Sequence, residues 1–193
     1  MMGQPSKITS LDNLHWKFKK KLIIALENAN KRAPSGVVFK VFESVRSEEL
    51  QSYYYQQGRT RKGSIITNVK SPTFHNVKVG LAADVVPFVN GQPKWDRSLL
   101  KIWGEEAVKQ GLTWGGNWKS FYDGAHVQLD GGLKSSDIRQ GSRPKWFYDK
   151  ETPQWKEDAV QWALKEGVID SYHDPLEVLD IGTYLEIERK KRL

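Results

Sequence analysis

The sequence predicts an α+β fold in which a small antiparallel sheet is flanked by helices and followed by a small helical C-terminal module. Helix-like and strand-like segments alternate through residues 1–130, whereas residues 149–193 contain helix signals only. A Gly- and Ser-rich stretch at residues 131–148 separates the two regions. The 193 residues, 38% hydrophobic and 27% charged, suit one globular domain with a small appendage.

The first predicted helix begins near Ser10 or Asp12, since either side chain can cap it, and ends at Pro34. Its apolar residues recur at intervals of three to four positions, which predicts one buried face: Leu14, Phe18, Leu22, Leu26 and Ala29. A β-branched and aromatic run at residues 37–42 then predicts the first strand.

The next elements are a helix, a basic loop and a buried strand. Ser47 can cap a helix whose first turn contains Glu48 and Glu49, and Gly58 ends it. The loop at residues 58–63 contains two arginines and a lysine. The apolar run at residues 81–88 then predicts a strand buried on both faces.

A third helix and a last strand complete the predicted domain. Asp96 can cap a helix that ends at Gly111, with Leu99, Leu100, Trp103 and Ala107 on its apolar face. A short strand follows at residues 125–129. We therefore expect a domain at residues 1–130, a linker at 131–148 and a helical module at 149–193.

Charge and composition narrow the classes of function. The net charge is +7, and residues 1–70 contain 13 basic and 5 acidic side chains, which favours a polyanionic partner such as nucleic acid, an anionic membrane surface or an acidic wall polymer. Cysteine is absent, which excludes disulfides, a thiolate nucleophile and Cys-ligated metals. The aliphatic run at residues 22–26 is too short for a membrane-spanning helix or a signal peptide, so we expect neither membrane insertion nor an export signal.

A zinc site is one interpretation of the histidines and carboxylates. Asp84 lies in the middle of an apolar strand, where an unpaired carboxylate would be costly to bury. His75, Asp84 and His126 would supply the three protein ligands of a catalytic zinc, and Asp123 would be the general base. The alternative is that Asp84 pairs with a nearby arginine and that both histidines are ordinary polar residues.

Several motifs, taken together and in order, give the sequence a family resemblance. They are Arg46-Ser47, Gly58-Arg59-Thr60, the block from His75 to Gly80-Leu81-Ala82-Ala83-Asp84, and Trp114-Gly115-Gly116-Asn117-Trp118 followed by Asp123-Gly124-Ala125-His126. Over about residues 10–130 the chain resembles the zinc peptidases of bacterial cell-wall peptides. This family includes the phage L-alanyl-D-glutamate endopeptidases (endolysins) and the D-alanyl-D-alanine carboxypeptidases and dipeptidases.

The resemblance implies roles for individual residues. It implies that one Zn²⁺ per chain is bound by His75, Asp84 and His126, that Asp123 is the catalytic base, and that Arg46 stabilises the oxyanion. Substrate-binding residues would be Arg59, Thr73, Trp114 and Trp118. One departure is the spacing from His75 to Gly80, which is two residues longer than the family pattern.

The resemblance also implies a substrate and a setting. The Gly-Arg-Thr loop and the Trp-Gly-Gly-x-Trp stretch favour cleavage of the L-alanyl-D-glutamate bond of peptidoglycan by a monomeric phage lysin, which would stay in the host cytoplasm until release. Cleavage of D-Ala-D-Ala is the alternative within the family. A basic nucleic-acid-binding protein is the alternative outside it, although we expect no nucleic-acid partner, because that function leaves Asp84 unexplained.

The C-terminal module has a weaker resemblance of its own. Residues 152–189 resemble one S-layer-homology unit in the order of Trp155, Trp162, Gly167 and Asp174-Pro175. This resemblance implies that residues 149–193 bind anionic wall polymers.

Overall fold

The structure, a computed structural model, describes residues 3–149 and confirms the α+β class. The chain divides into two compact units, residues 1–147 and 148–193. The predicted helical module at 149–193 lies outside the described residues, apart from Asp149. The described helices are α1 (Trp16–Arg32), α2 (Glu48–Gln56), α3 (Arg97–Lys109) and α4 (Ser135–Arg139), and the strands are β1 (Val37–Glu43), β2 (Ala82–Val89), β3 (Gln92–Pro93), β4 (Thr113–Trp114) and β5 (His126–Gln128).

The sheet is antiparallel, with the strand order β1-β2-β5-β4 and the short β3 paired with the end of β2. Its register places Glu43, Asp84 and His126 in one row, because Asp84 on β2 pairs with Glu43 on one side and with His126 on the other. A bulge between Val41 and Glu43 brings Glu43 into this row. The sheet therefore positions three polar side chains side by side at the centre of the domain.

The helices α1 and α3 enclose the core of the domain. The buried face of α1 consists of Phe18, Leu22, Ala25 and Ala29, and Trp103 of α3 is fully buried. Leu26, which we predicted on the same face, is only partly buried against this core. None of the described helices has the length and apolar character needed to cross a membrane.

The caps predicted for two helices are confirmed, whereas the start of α1 is not. The Ser47 side chain accepts a hydrogen bond from the Leu50 N–H (3.2 Å), and Asp96 accepts from the N–H groups of Ser98 and Leu99 (2.8 and 3.0 Å). The first helix begins at Trp16 rather than near Ser10 or Asp12, because Nδ1 of His15 accepts from the Lys17 N–H and caps it.

The segment predicted as a linker packs against the domain over much of its length. It contains α4, whose Ile138 is buried, and the partly buried side chains of Leu133, Trp146 and Phe147 contact the core. The Phe147 carbonyl also lies 2.9 Å from Nε2 of His15. The Gly- and Ser-rich composition therefore marks turns in this packed segment, and the first unit extends to Phe147.

Candidate metal centre and active site

The side chains of His75, Asp84 and His126 converge on one point at the floor of a cleft. His75 Nε2 lies 3.0 Å from His126 Nδ1 and 3.4 Å from Asp84 Oδ1, and His126 Nδ1 lies 3.3 Å from the same oxygen. Both histidines are buried, and Asp84 is partly buried. The three residues predicted as ligands are therefore brought together, each with one potential ligand atom facing the others.

The outer nitrogens of the two imidazoles are held by fixed acceptors. His75 Nδ1 donates to the Ser44 carbonyl (2.8 Å), and His126 Nε2 donates to Oε1 of Gln128 (3.0 Å). The Gln128 amide is itself oriented, because its Nε2 donates to Asp130 (3.3 Å). In the neutral imidazoles, the proton is thus on the outer nitrogen and the lone pair points into the cluster, as is common for metal-bound histidines.

The donor set of this cluster fits a divalent cation such as zinc. Two nitrogen lone pairs and a carboxylate oxygen face one another at 3.0–3.4 Å, an arrangement that only a proton or a metal ion can satisfy. Burial alone would raise the pKa of Asp84, but the charges and hydrogen bonds of His75 and His126 hold it well below its ordinary value. The carboxylate therefore stays ionised and can act as a ligand.

Arg46 is fixed beside the cluster by buried polar groups. Its Nε donates to Glu43, its Nη1 donates to Oε1 of Gln51 (2.9 Å), and its Nη2 lies 3.5 Å from Asp84 Oδ2. Glu43 also accepts from the Tyr54 hydroxyl (3.0 Å). Asp84 thus pairs with an arginine, as the alternative interpretation expected, but it contacts both histidines as well, so the arginine does not replace the cluster.

Asp123 lines the same cleft but is outside the three-residue cluster. Its backbone is anchored by two hydrogen bonds, one from its N–H to the Gly115 carbonyl (3.1 Å) and one from the His126 N–H to its own carbonyl (3.2 Å). Burial and the negative charge of Asp84 raise the pKa of its carboxyl group, while the two histidines oppose this shift. Asp123 therefore lies in the same cleft as the cluster, with a carboxyl group whose pKa is raised.

The loop that carries His75 accommodates its two extra residues in a compact turn. The Val79 and Gly80 N–H groups both donate to the Asn76 carbonyl (2.8 and 2.9 Å), and Gly80 has a φ of +61°. A side chain at Gly80 would approach the Asn13 carbonyl to 2.5 Å. His75 itself is held from the other side, because its carbonyl accepts from the Arg46 N–H (2.6 Å).

The four residues predicted to bind substrate have different positions. Thr73 and Trp118 line the cleft, and the Trp118 ring lies 5.1 Å from the His126 ring. Trp114 differs from the prediction, because it is buried and does not line the cleft. Its Nε1 donates to the Gly124 carbonyl (2.8 Å). Arg59 also lies outside the cleft lining, where its guanidinium donates to the Thr67 carbonyl (3.1 Å) and to Asn68 (2.9 Å). It thereby braces a loop that does line the cleft.

The cleft has a volume of about 790 Å³ and contains residues that the sequence analysis did not identify. Its walls expose apolar side chains, namely Ile65, Ile66, Trp95 and Phe121. Glu43 and Gln51, which hold Arg46, and Ser44 and Gln128, which orient the histidines, were also missed. The bulge in β1 and the strand register that bring them here depend on long-range pairing, and only the alternation of Gln128 with His126 on one strand face could have indicated one of them.

Comparisons with known proteins find relatives for this region. Residues 69–129 match the sequence profile of an M15 peptidase family described as D-alanyl-D-alanine carboxypeptidase. The peptidoglycan L-alanyl-D-glutamate endopeptidase CwlK of Bacillus subtilis (strain 168) is 34% identical over 50% of this chain, which spans 64% of that relative's length. The solved structure of the L-Ala D-Glu endopeptidase ChiX of Serratia marcescens has a TM-score of 0.46 and 23% identity, over 64% of this chain and 90% of that one.

Proposed function

We propose that the protein, whose residues 69–129 match the M15 peptidase profile, hydrolyses the L-alanyl-D-glutamate bond of peptidoglycan stem peptides with the help of zinc. The observation that carries the proposal is the convergence of His75, Asp84 and His126 at the floor of an open cleft. The likeness to CwlK, whose name gives this bond, supports the choice of substrate.

His75, Asp84 and His126 would hold one zinc ion through the three atoms that face one another. A zinc ion bound by three protein ligands polarises a carbonyl group and lowers the pKa of a coordinated water. The chain supplies the other requirements of such a site, because Ser44 and Gln128 fix the orientation of the two imidazoles.

Asp123 would move the proton during hydrolysis. Its carboxylate lines the cleft and its pKa is raised, so it can accept a proton from the attacking water. The same carboxyl group can then donate that proton to the nitrogen of the departing D-glutamate residue. The peptide bond breaks, and the products are a carboxylate on L-alanine and a free amine on D-glutamate.

Arg46 would stabilise the negative charge that develops on the scissile carbonyl oxygen. Burial alone would lower its pKa, but Asp84 and Glu43 raise it, so the guanidinium stays charged. Three of its five N–H groups are directed to Glu43, Gln51 and Asp84, which leaves donors for a substrate oxygen. Its position is fixed before the substrate binds, which is what makes such a group effective.

Cleavage of D-Ala-D-Ala is the second candidate, because the matching family profile is described by that activity. A carboxypeptidase must bind the terminal carboxylate of its substrate, whereas an endopeptidase needs room for the chain on both sides of the bond. The volume of the cleft, about 790 Å³, offers room for more than a terminal residue and supports the endopeptidase. A role in wall lysis, of the kind the endolysin resemblance implies, is part of this proposal.

The proposal predicts one zinc per chain and activity that depends on it. Metal analysis of the purified protein should find close to one equivalent of zinc, and chelation should abolish clearing of purified cell walls. Added zinc should restore it. A metal-free protein that clears walls at the full rate would contradict the proposal, and binding to DNA that weakens with salt but ignores zinc would favour the nucleic-acid alternative.

A further inference from the structure

Lys7 and Arg46 are the two lysine or arginine side chains among the described residues that line the cleft, and they differ in their partners. Arg46 is paired with Glu43, Gln51 and Asp84. Within the described part of the chain, Lys7 Nζ makes neither a hydrogen bond nor an ion pair. Burial lowers the pKa of Lys7, and the charges of Glu43 and Asp84 oppose this shift from beyond ion-pair distance, so an incoming carboxylate can pair directly with the ammonium group.

An aromatic platform holds the Lys7 ammonium in place. Nζ lies 3.4 Å from the centre of the Phe42 ring, and that ring meets Trp95 edge-on at 5.4 Å. All three side chains line the cleft. Together they form a subsite in which an ammonium group lies against an apolar wall, and this combination suits a carboxylate carried on a short aliphatic chain.

The backbone around Lys7 is tied to the metal centre. The Ile8 carbonyl accepts from both the N–H and the hydroxyl of Ser44 (2.7 and 3.0 Å). The carbonyl of the same Ser44 accepts from Nδ1 of His75 (2.8 Å). One residue therefore links the segment that carries Lys7 to a candidate zinc ligand, so the distance between the subsite and the cluster is fixed by the fold.

The charge of the cleft also favours an anion once the metal is present. The cleft is lined by two cationic side chains, Lys7 and Arg46, and by three carboxylates, Glu43, Asp84 and Asp123. A divalent cation bound by the cluster turns this small negative excess into a positive one. Because the order of strands is β1-β2-β5, Phe42 on β1 and His126 on β5 lie on opposite sides of β2, which carries Asp84, so Lys7 would meet the substrate on the β1 side of the cluster.

We propose that Lys7 is a specificity-determining residue that binds a free carboxylate of the peptide substrate on the β1 side of the cleft. The identity of the substrate rests on the proposed function, whereas the preference of the subsite for a carboxylate rests on its own geometry. Stem peptides contain carboxylates that do not take part in hydrolysis, including the α-carboxylate of the D-glutamate residue.

The kinetic test compares Lys7→Gln with the native full chain on three peptides. These are L-Ala-D-Glu-L-Lys with the lysine joined through the γ-carboxyl of D-glutamate, the same peptide amidated at the free D-glutamate α-carboxylate, and the same peptide amidated at its C-terminus. We expect one of the two amidations to raise KM of the native protein about tenfold, the scale of a charge-assisted hydrogen bond. Lys7→Gln should raise KM for the unmodified peptide by a similar factor, leave kcat unchanged and abolish the preference.

The matched control is Lys40→Gln. Lys40 also lies over a phenylalanine ring, with Nζ 5.3 Å from the centre of Phe88, but it does not line the cleft. This variant should keep the native KM on all three peptides. If Lys7→Gln instead weakens all three peptides equally, or lowers kcat alone, Lys7 is only a structural residue and the proposal is overturned.

Calorimetric binding of the same peptides to Asp123→Asn separates this proposal from the proposed function. If no peptide is cleaved but the carboxylate preference is present and depends on Lys7, the proposed function fails and the Lys7 subsite stands. If peptides are cleaved but binding shows no such preference, the proposed function stands and the Lys7 subsite fails. Failure of all three peptides to bind would overturn the Lys7 subsite.

Discussion

At the scale of the residue, the two carboxylates of the site have separate positions and should have separate roles. Asp84 contacts both histidines of the cluster, whereas Asp123 lies outside it and has a raised pKa. Asp123→Asn should therefore keep zinc and lose at least ~10²-fold in turnover, because an amide cannot accept the proton. Asp84→Asn, His75→Ala and His126→Ala should lose zinc itself. Zinc content and turnover are measured on the same samples, with and without added zinc.

Asp12→Asn is the control for this comparison, since Asp12 is exposed and distant in sequence from the site, and the same chemical change there should alter neither quantity. If Asp123→Asn releases its zinc while Asp84→Asn retains it, the base and the ligand have been assigned the wrong way round. Because zinc content and turnover are measured separately, the comparison distinguishes a variant that has lost the metal from one that has lost only activity.

Two tryptophans four positions apart show that residue type alone does not predict whether a side chain is buried or faces the cleft. Both were predicted to bind substrate, yet Trp114 is in the core and Trp118 is 37% exposed beside His126. The segment around the two indoles has no periodic pattern, so the sequence could not separate the buried ring from the exposed one. The distinction depends on close approach of Trp114 to two glycine positions, Gly104 and Gly116, which only the folded chain brings together.

At the scale of the element, the contact between α3 and Trp114 gives a prediction about stability. A Cβ at Gly104 would lie 2.1 Å from the Trp114 ring, which is held by its bond to the Gly124 carbonyl. In an ordinary helix, Gly→Ala stabilises by about 1 kcal/mol. Here Gly104→Ala should lower the free energy of unfolding by roughly 1–3 kcal/mol, the usual cost of overpacking, as measured by urea denaturation.

The second variant in this test is Trp114→Leu, which removes the ring that Gly104→Ala would meet. In the Trp114→Leu background, Gly104→Ala should lower the free energy of unfolding much less than it does in the native chain. The effects of the two substitutions on stability should therefore not be additive. Stabilisation by Gly104→Ala in the native background would show that the indole does not pack against this helix.

Elements with strong local signals were predictable, and those formed by pairing were not. The caps at Ser47 and Asp96 and the central strand follow from local chemistry, and all three are confirmed. The two-residue strands β3 and β4 are too short for any periodic pattern. For the site, the sequence predicted which three residues converge, but it could not show the row across β1, β2 and β5 that places Glu43 there, since that row depends on strand register.

At the scale of the whole molecule, the end of the first unit determines where the chain can be cut. Truncation after Asp149 should leave a stable domain, because every predicted site residue and the contacts of Trp146 and Phe147 are retained. Truncation after Ser142 removes both side chains from the core and should cost about 2 kcal/mol or more of unfolding free energy. Urea denaturation of the two shortened chains measures the difference in their unfolding free energies. Equal stabilities would contradict the packing of Trp146 and Phe147 against the core.

The same truncation after Asp149 tests the proposed wall-binding role of residues 149–193. The shortened chain should cleave a soluble stem peptide at the native rate but sediment less with whole cell walls. Equal sedimentation would remove the wall-binding role from this segment without affecting the site. Loss of peptide cleavage by a folded truncated chain would show that the segment contributes to catalysis.

The most direct measurement of the central claim is mass spectrometry of the fragments released from purified peptidoglycan by the full chain, with metal-free and zinc-reloaded samples compared. The claim predicts, only with zinc, fragments that begin with a free D-glutamate amine and glycan strands that end in L-alanine. Release of terminal D-alanine alone would assign the carboxypeptidase activity instead. Identical fragments from the metal-free and zinc-reloaded protein, or none from either, would contradict the account.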